Sequence, residues 1–374
     1  MKKRIWIVAG VFLLTMLGLT ACGDRKEESQ QEQQEGNSPE ESISKDGTYE
    51  IAFMSGEGEL DDETFHRSTW EGVAEYADEN RITYSYYRPA EDAEASREKA
   101  VKEAVKKGAK IIIAQGYPFE EVFYHLQNEY PKVQFLLLDG EPNNGEKEYE
   151  TASNVHCILF REEEAGYLAG YAAVSEGYSR LGFVGGRDIP QIQRYGYGFI
   201  QGAEDAAKQG EGEIEMQYWY ADSFEAWSEI ESKMKEWYGS GTQVIFACGG
   251  GLSQSVITAA EEAGGRVIGV DRDQSGDSKT VLTSAVKDLT GAVVNALEEL
   301  YNNGGVWTDG QAGKTLVLSA REQGVELPEK EGAWRFENFS KRDYRKIYRI
   351  LKRKERNISV ASMPITEQVK VIEQ

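Results

Sequence analysis

Short apolar runs ending in small or acidic residues alternate along this chain with amphipathic stretches. YEIAFMSG is followed by a helical pattern from Asp62, then by ITYSYYRP, EDAEASREKAVKEAVKKG, AKIIIAQG, FEEVFYHLQNEYP and VQFLLLDG. That alternation predicts a parallel sheet with helices on both faces. The plan then repeats in RLGFVGG, QIQRYGYGFIQGAEDAAKQG, EIEMQYWYA, FEAWSEIESKMKEWYGSG, QVIFACGG, SQSVITAAEEAGG and RVIGVD. The expected fold class is α/β, with two doubly wound parallel-sheet lobes joined by a hinge and a ligand cleft between them. TVLTSAV, the helix DLTGAVVNALEELYNNG and KTLVLSA are expected to run between the lobes and complete both sheets, and a basic helix, SKRDYRKIYRILKRK, packs late. Ligands of open parallel sheets gather outside the carboxyl ends of the strands, so two lobes face to face make a hinge-closing binding site.

The chain before the first strand is of another kind. Three cations, Lys2, Lys3 and Arg4, precede an almost unbroken apolar stretch from Ile5 to Leu17, which is the pattern of a secretory signal. It closes on Leu19, Thr20, Ala21 and Cys22, a lipobox in which a peptidase cuts before a lipid-bearing cysteine. A retained membrane helix is the alternative, but Ile5 to Ala21 falls short of the roughly 20 residues a bilayer core requires. Residues 23 to about 47 contain no aromatic residue and a single aliphatic one, Ile43, too little to offset chain ordering. They are expected to form a tether of roughly 25 to 30 Å reach. The expected partition is a signal peptide at 1–21, lipidated Cys22 and a disordered tether at 22–47, lobe 1 from 48–156 plus about 284–308, lobe 2 from 157–283 plus about 309–354, and a tail at 355–374.

Charge narrows the partners. The formal net charge of −22 falls to −25 once the three signal cations are removed, which argues against nucleic acid and against adhesion to anionic lipid. Beyond Cys22 only Cys157 and Cys248 remain, each inside an apolar run, so buried free thiols are expected rather than a disulfide.

Several stretches carry candidate binding chemistry. In LDDETFHRSTWEG, Trp70, Val73, Ala74 and Ala77 form the stripe facing the sheet, and Asp61 or Asp62 caps the helix. Phe65 lies roughly 130° from that stripe at a strand's carboxyl end, where it either meets a ligand or plugs a neighbouring loop. GGRDIPQIQRYGYGF places Arg194 and Tyr195 at the equivalent position of the second lobe. Its glycines at 196 and 198 are costly in a helix unless close approach requires them. Two aromatics on facing lobes suggest a sandwich around a flat ligand, with a surface Tyr195 as the alternative. ACGGGLSQS, with Gly249, Gly250 and Gly251, offers backbone N–H groups at a helix start or is simply a tight turn. VIGVDRDQSGDSKTVLTSAVKD ends a strand with Asp271 and Asp273 and carries Lys287 after the next. A carboxylate there can accept two hydroxyl hydrogen bonds, although solvated loop charges explain the same residues.

Catalytic and metal motifs do not emerge. His66, His125 and His156 show no ligand spacing, and there is no nucleophile elbow, HExxH motif or Walker loop. Neither an enzyme nor a cofactor is expected.

The lipobox, the DDxxFxxxxWEG segment at 61–72, GGRDIPxIxRYxxGF at 185–199, and IGVDRDQ with VLTSAVK at 268–287 together resemble the basic membrane protein (BMP, PnrA-like) family of substrate-binding lipoproteins, over about residues 48 to 350. Its best-known members are similar in fold to type 1 periplasmic binding proteins and deliver purine nucleosides to an ABC transporter. The resemblance implies that Phe65 and Tyr195 stack on the two faces of a base and that Asp271 and Lys287 hold ribose hydroxyls. It also implies that the turn from Gly249 and Gly250 to Gly251 lies against the sugar, and that Asp139 is an acidic site position. Three positions depart from the family pattern: His66 stands for a usual asparagine, Gly56 for an aspartate, and Tyr195 for a phenylalanine. The expectation is a monomeric binding protein, lipid-anchored on the extracytoplasmic face of the cell membrane, that takes a nucleoside-like ligand to an ABC permease. The rivals are a ligand sensor for a membrane signalling partner, a binder of a sugar or modified nucleoside, and a surface enzyme acting on nucleosides.

Overall fold

In β1 (Ile51–Met54), Ile51 and Phe53 enter one apolar cluster while Ala52 and Met54 enter another. A strand's side chains alternate between faces, so a strand apolar at every position needs a layer on each side. The computed structural model describes residues 41–55, 65–210 and 212–374, apart from the side chain of Phe65. The expected signal peptide, Cys22, the tether up to residue 40, Gly56 and the capping residues Asp61 and Asp62 lie outside the described residues.

The first sheet contains β2 (Tyr84–Tyr87), β1, β3 (Ile111–Gln115), β4 (Gln134–Leu138), β5 (Val155–Phe160) and β11 (Lys314–Leu318) in that order, all parallel. The second runs β13 (Val369–Glu373), β7 (Ile214–Tyr220), β6 (Arg180–Gly185), β8 (Val244–Cys248), β9 (Arg266–Asp271), β10 (Val281–Lys287) and β12 (Val325–Glu326), with β12 alone antiparallel. The strand order 2-1-3-4-5 therefore occurs twice, as a doubly wound plan requires. The fold read from the sequence is the fold observed.

Helices α2 (Glu94–Lys106) and α3 (Glu120–Glu129) cover one face of the first sheet, and α6 (Ser228–Gly239) and α7 (Leu252–Ala263) one face of the second. On the other faces lie α1 (Phe65–Asn80) with α8 (Leu289–Asn302), and α4 (Glu162–Glu176) with α5 (Pro190–Gly210). Trp70, Val73 and Ala77 are buried on α1, as its periodicity predicts. The chain crosses between lobes after β5, after β10 and after β11.

The lobe boundaries differ from expectation. Those anticipated at 156/157 and 283/284 fall inside β5 and β10, because an apolar strand stays whole and the crossing falls in the loop after it. β11, expected in lobe 2, adds to the edge of the first sheet in register with β5. Val369–Glu373, expected as tail, is β13 at the edge of the second. Residues 41–47, expected within the tether, instead cover the β2 edge: Ser42 exchanges backbone bonds of 3.1 and 2.7 Å with Tyr84, and Glu41 accepts from Ser85 Oγ at 2.7 Å. An open strand edge offers unpaired backbone groups, and this segment satisfies some of them.

The α4 and α5 helices touch backbone to backbone. A Cβ on Gly166 would lie 2.1 Å from Tyr195 O, and on Gly170 2.0 Å from Phe199 O. Reciprocally, one on Gly198 would lie 2.1 Å from Glu163 O, and on Gly202 2.0 Å from Tyr167 O. The glycines of the second lobe's helix thus answer a close approach. Cys157 and Cys248 are buried free thiols, as expected. Among the described residues no helix is long and apolar enough to cross a membrane.

Candidate ligand-binding site

The carboxyl ends of both sheets open onto one cleft with room for about 140 Å³, lined from the first lobe by His66, Gln115, Gly116 and Asp139 and from the second by Gln191, Tyr195, Gly249, Gly250, Gly251, Asp271 and Lys287. Sequence-predicted residues from both lobes therefore meet. Phe65 begins α1, but its side chain is outside the described set. His66 is half-buried, its ring 6.5 Å from that of Phe53.

Lys287, at the last position of β10, organises the floor. Its Nζ lies 2.5 Å from Asp139 Oδ2, 3.3 Å from Asp271 Oδ1 and 3.8 Å from Glu162 Oε1. Burial alone would lower its pKa, but the three carboxylates outweigh that and hold the ammonium above the ordinary lysine range. Glu162 also accepts from Arg194 Nε at 2.6 Å. Burial pushes the Asp139 carboxyl up to about 6 despite the opposing pull of Lys287.

Asp139 directly follows β4 and Asp271 is the last residue of β9, the fourth strand of each lobe, and both have left-handed backbones, with φ of 54° and 63°. Non-glycine residues there carry strain that surrounding contacts must hold. For Asp139 those contacts include its N–H to Ile158 O at 2.8 Å and its carbonyl, which accepts from Gln191 Nε2 at 2.8 Å. The turn after Asp271 is held by Gln274, whose Oε1 accepts from Val270 N at 2.9 Å and whose own N–H donates to Ser284 Oγ at 3.0 Å.

Tyr195 reaches the cleft, but it is no open platform. It is 1 % exposed, its hydroxyl donates to Asp271 Oδ1 at 3.1 Å, and its ring meets Phe246 edge-on at 5.8 Å. Asp273 is not among the lining residues; it pairs with Lys330 at 2.8 Å. Gly249 and Gly250 have φ of 154° and 49°, and a Cβ on Gly249 would meet Gly186 N at 2.9 Å, so close backbone approach calls for glycine there.

The sequence reading missed Gln115, Gln191 and Glu162. Glu162 is the first glutamate of REEEAGY, a charge run that reads as a solvated helix start, yet it is fully buried. The run on a helix otherwise apolar all round was the available signal. Elsewhere, Glu94, Glu98 and His125 could hold a metal ion, although such exposed groups are common without one.

The profile of the family described as "ABC transporter substrate-binding protein PnrA-like" (Bmp) matches residues 50–360. The chain belongs to this family. Among Bmp relatives, the ABC transporter nucleoside-binding protein BmpA of Lactococcus lactis subsp. cremoris is 24 % identical over 350 residues, 87 % of this chain and 92 % of that one. Basic membrane protein B of Borreliella burgdorferi is 30 % identical over 230 residues, 60 % of this chain and 64 % of that protein. An ABC transporter solute-binding protein from Aeropyrum pernix K1 superposes with a TM-score of 0.67 at 21 % identity, covering 82 % of this chain and 86 % of that one, which shows the shared fold. This Bmp chain is thus a substrate-binding protein of an ABC transporter.

Proposed function

We propose that this Bmp protein is held by a lipid on Cys22 at the extracytoplasmic face of the membrane, captures a nucleoside-like ligand between its lobes, and presents it to an ABC permease without altering it chemically. The observation that carries the reading is the convergence of Asp139, Asp271 and Lys287 from facing strand ends onto one cleft. The Asp271 carboxylate fixed beside the Lys287 ammonium is the acceptor for sugar hydroxyls, and the fixed geometry spares the ligand the ordering of those groups. His66 on α1 and the edge of the buried Tyr195 ring on α5 line the cleft beside that polar end, and Phe65, the first residue of α1, is assigned the stacking role against a flat base. The Gly249 and Gly250 turn lets the backbone approach the sugar. The name of the Lactococcus lactis relative points to the same ligand class.

The test is a thermal-shift screen of purified protein against nucleosides, free bases and sugars. A nucleoside at 100 times its dissociation constant should stabilise by about 2.7 kcal/mol. Stabilisation by sugars or bases but by no nucleoside would overturn the ligand class, and conversion of a nucleoside during incubation would overturn the non-enzymatic role.

A further inference from the structure

Four polar atoms on the cleft wall are buried without a hydrogen-bond partner: Gln115 Nε2 and Oε1, Asp139 Oδ1 and Gln191 Oε1. Native proteins leave few such groups, and groups left so inside a binding cleft are matched by what binds there. The three side chains are neighbours. Gln115 ends β3 in register with Leu138, the residue just before Asp139, and is 1 % exposed. Gln191 reaches over from α5 and is fixed by its 2.8 Å bond to the Asp139 carbonyl.

Their chemistry defines a complement. Three of the atoms are oxygens that accept and one is an amide nitrogen that donates, so the matching edge offers several N–H groups and one acceptor. The edge of a 2-amino-6-oxopurine does this in a single plane, with an N1–H, a 2-amino group and the O6 oxygen. A 6-aminopurine presents one amino group beside a bare ring nitrogen, which would leave buried acceptors of the wall unmatched. Resting on the nucleoside reading above, we infer that Gln115, Asp139 and Gln191 form the base-reading wall of the cleft and select a guanosine-type nucleoside over an adenosine-type one. Gln115 is the central specificity residue, its Nε2 donating to O6 while its Oε1 accepts from a ring or amino N–H. It takes over the donor and acceptor pair that an asparagine at position 66 would offer from a single amide.

Calorimetry on the full chain with guanosine, inosine and adenosine tests this. Guanosine should bind roughly tenfold tighter than inosine, which lacks the 2-amino group, and tighter still than adenosine. Gln115→Leu, of similar size but without polar atoms, should weaken guanosine at least tenfold without lowering the melting temperature of the ligand-free protein. A glutamine with a merely structural role would give the reverse. Should that variant not fold, Gln115→Glu replaces the donor by an acceptor facing O6 and should lose guanosine by a similar factor. Adenosine bound as tightly as guanosine, or guanosine affinity unchanged in the variant, overturns the assignment. If no nucleoside binds at all, the ligand class itself is wrong and this selectivity falls with it.

Discussion

The two lobes repeat one strand order but use it differently. At the end of the fourth strand both carry an aspartate in a left-handed backbone, Asp139 and Asp271. At the fifth strand they diverge, since Phe160 ends β5 where Lys287 ends β10, and the ammonium stands 5.6 Å over the phenylalanine ring. At the third, β3 ends on Gln115 where β8 ends on Cys248. The helix pairs differ as well. Each lobe borrows one helix from across the hinge, α8 against α1 and α4 against α5. Only the second pair meets backbone to backbone through four glycines, and Gly72 on α1, where a Cβ would lie 2.7 Å from Thr290 O, is a lesser counterpart. The strained acceptor recurs at each fourth-strand end, while the neighbouring strand ends differ in charge and polarity.

Removing the Lys287 cation should break this arrangement most. Lys287→Met leaves Asp139, Asp271 and Glu162 buried together and should cost about 3–5 kcal/mol in chemical denaturation at pH 8. The deficit should shrink by pH 5, because the Asp139 carboxyl, pushed up to about 6, is then largely neutral and no longer repels its neighbours.

The helix pairs are compared by matched substitutions. Gly170→Ala forces backbone apart and should destabilise by about 3 kcal/mol, whereas Gly72→Ala in the first lobe should cost about 1 kcal/mol, both by urea melts. Equal losses would mean that the two helix pairs are equivalent.

The first lobe's aspartate is tested by pH. The Asp139 carboxyl titrates at about 6 in the fold against an ordinary 3.8, so its contribution to stability is complete below the lower value and lost as pH rises through the higher. Ligand affinity runs the other way if the carboxylate accepts from the ligand. Between pH 7.5 and pH 5 it should fall roughly tenfold by calorimetry, and Asp139→Asn should flatten that dependence. Smallest, Glu41→Ala should cost less than about 1 kcal/mol and show as faster amide exchange at Tyr86, whose N–H Glu41 accepts at 3.0 Å.

Much of this was legible in the sequence because it depends on local period and residue type. Runs such as AKIIIAQG and QVIFACGG are strands buried on both faces, and Gly198 announced a close contact before its partner, the Glu163 carbonyl, was known. Asp271 and Lys287 are legible because charged residues ending apolar strands stand out. Glu162 was hidden because an acidic helix start is the ordinary solvated pattern, and only Arg194 and Lys287, 32 and 125 positions away, make it a buried one. Gln115 was hidden because an amide ending a strand carries no pattern of its own. The lobe boundaries slipped because periodicity finds a strand such as β11 but cannot say which sheet receives it.

The short segment from Glu41 to Gly47 has a mechanical consequence. It is fastened along β2, so a pull arriving through the preceding chain is delivered to the first lobe alone. The second lobe is joined to it by three crossings and by cleft contacts such as those of Lys287 and Gln191 with Asp139. Were the chain held at that segment, as the proposed anchor requires, the first lobe would be the fixed jaw of a vice and the half that carries Lys287 the one displaced on closure.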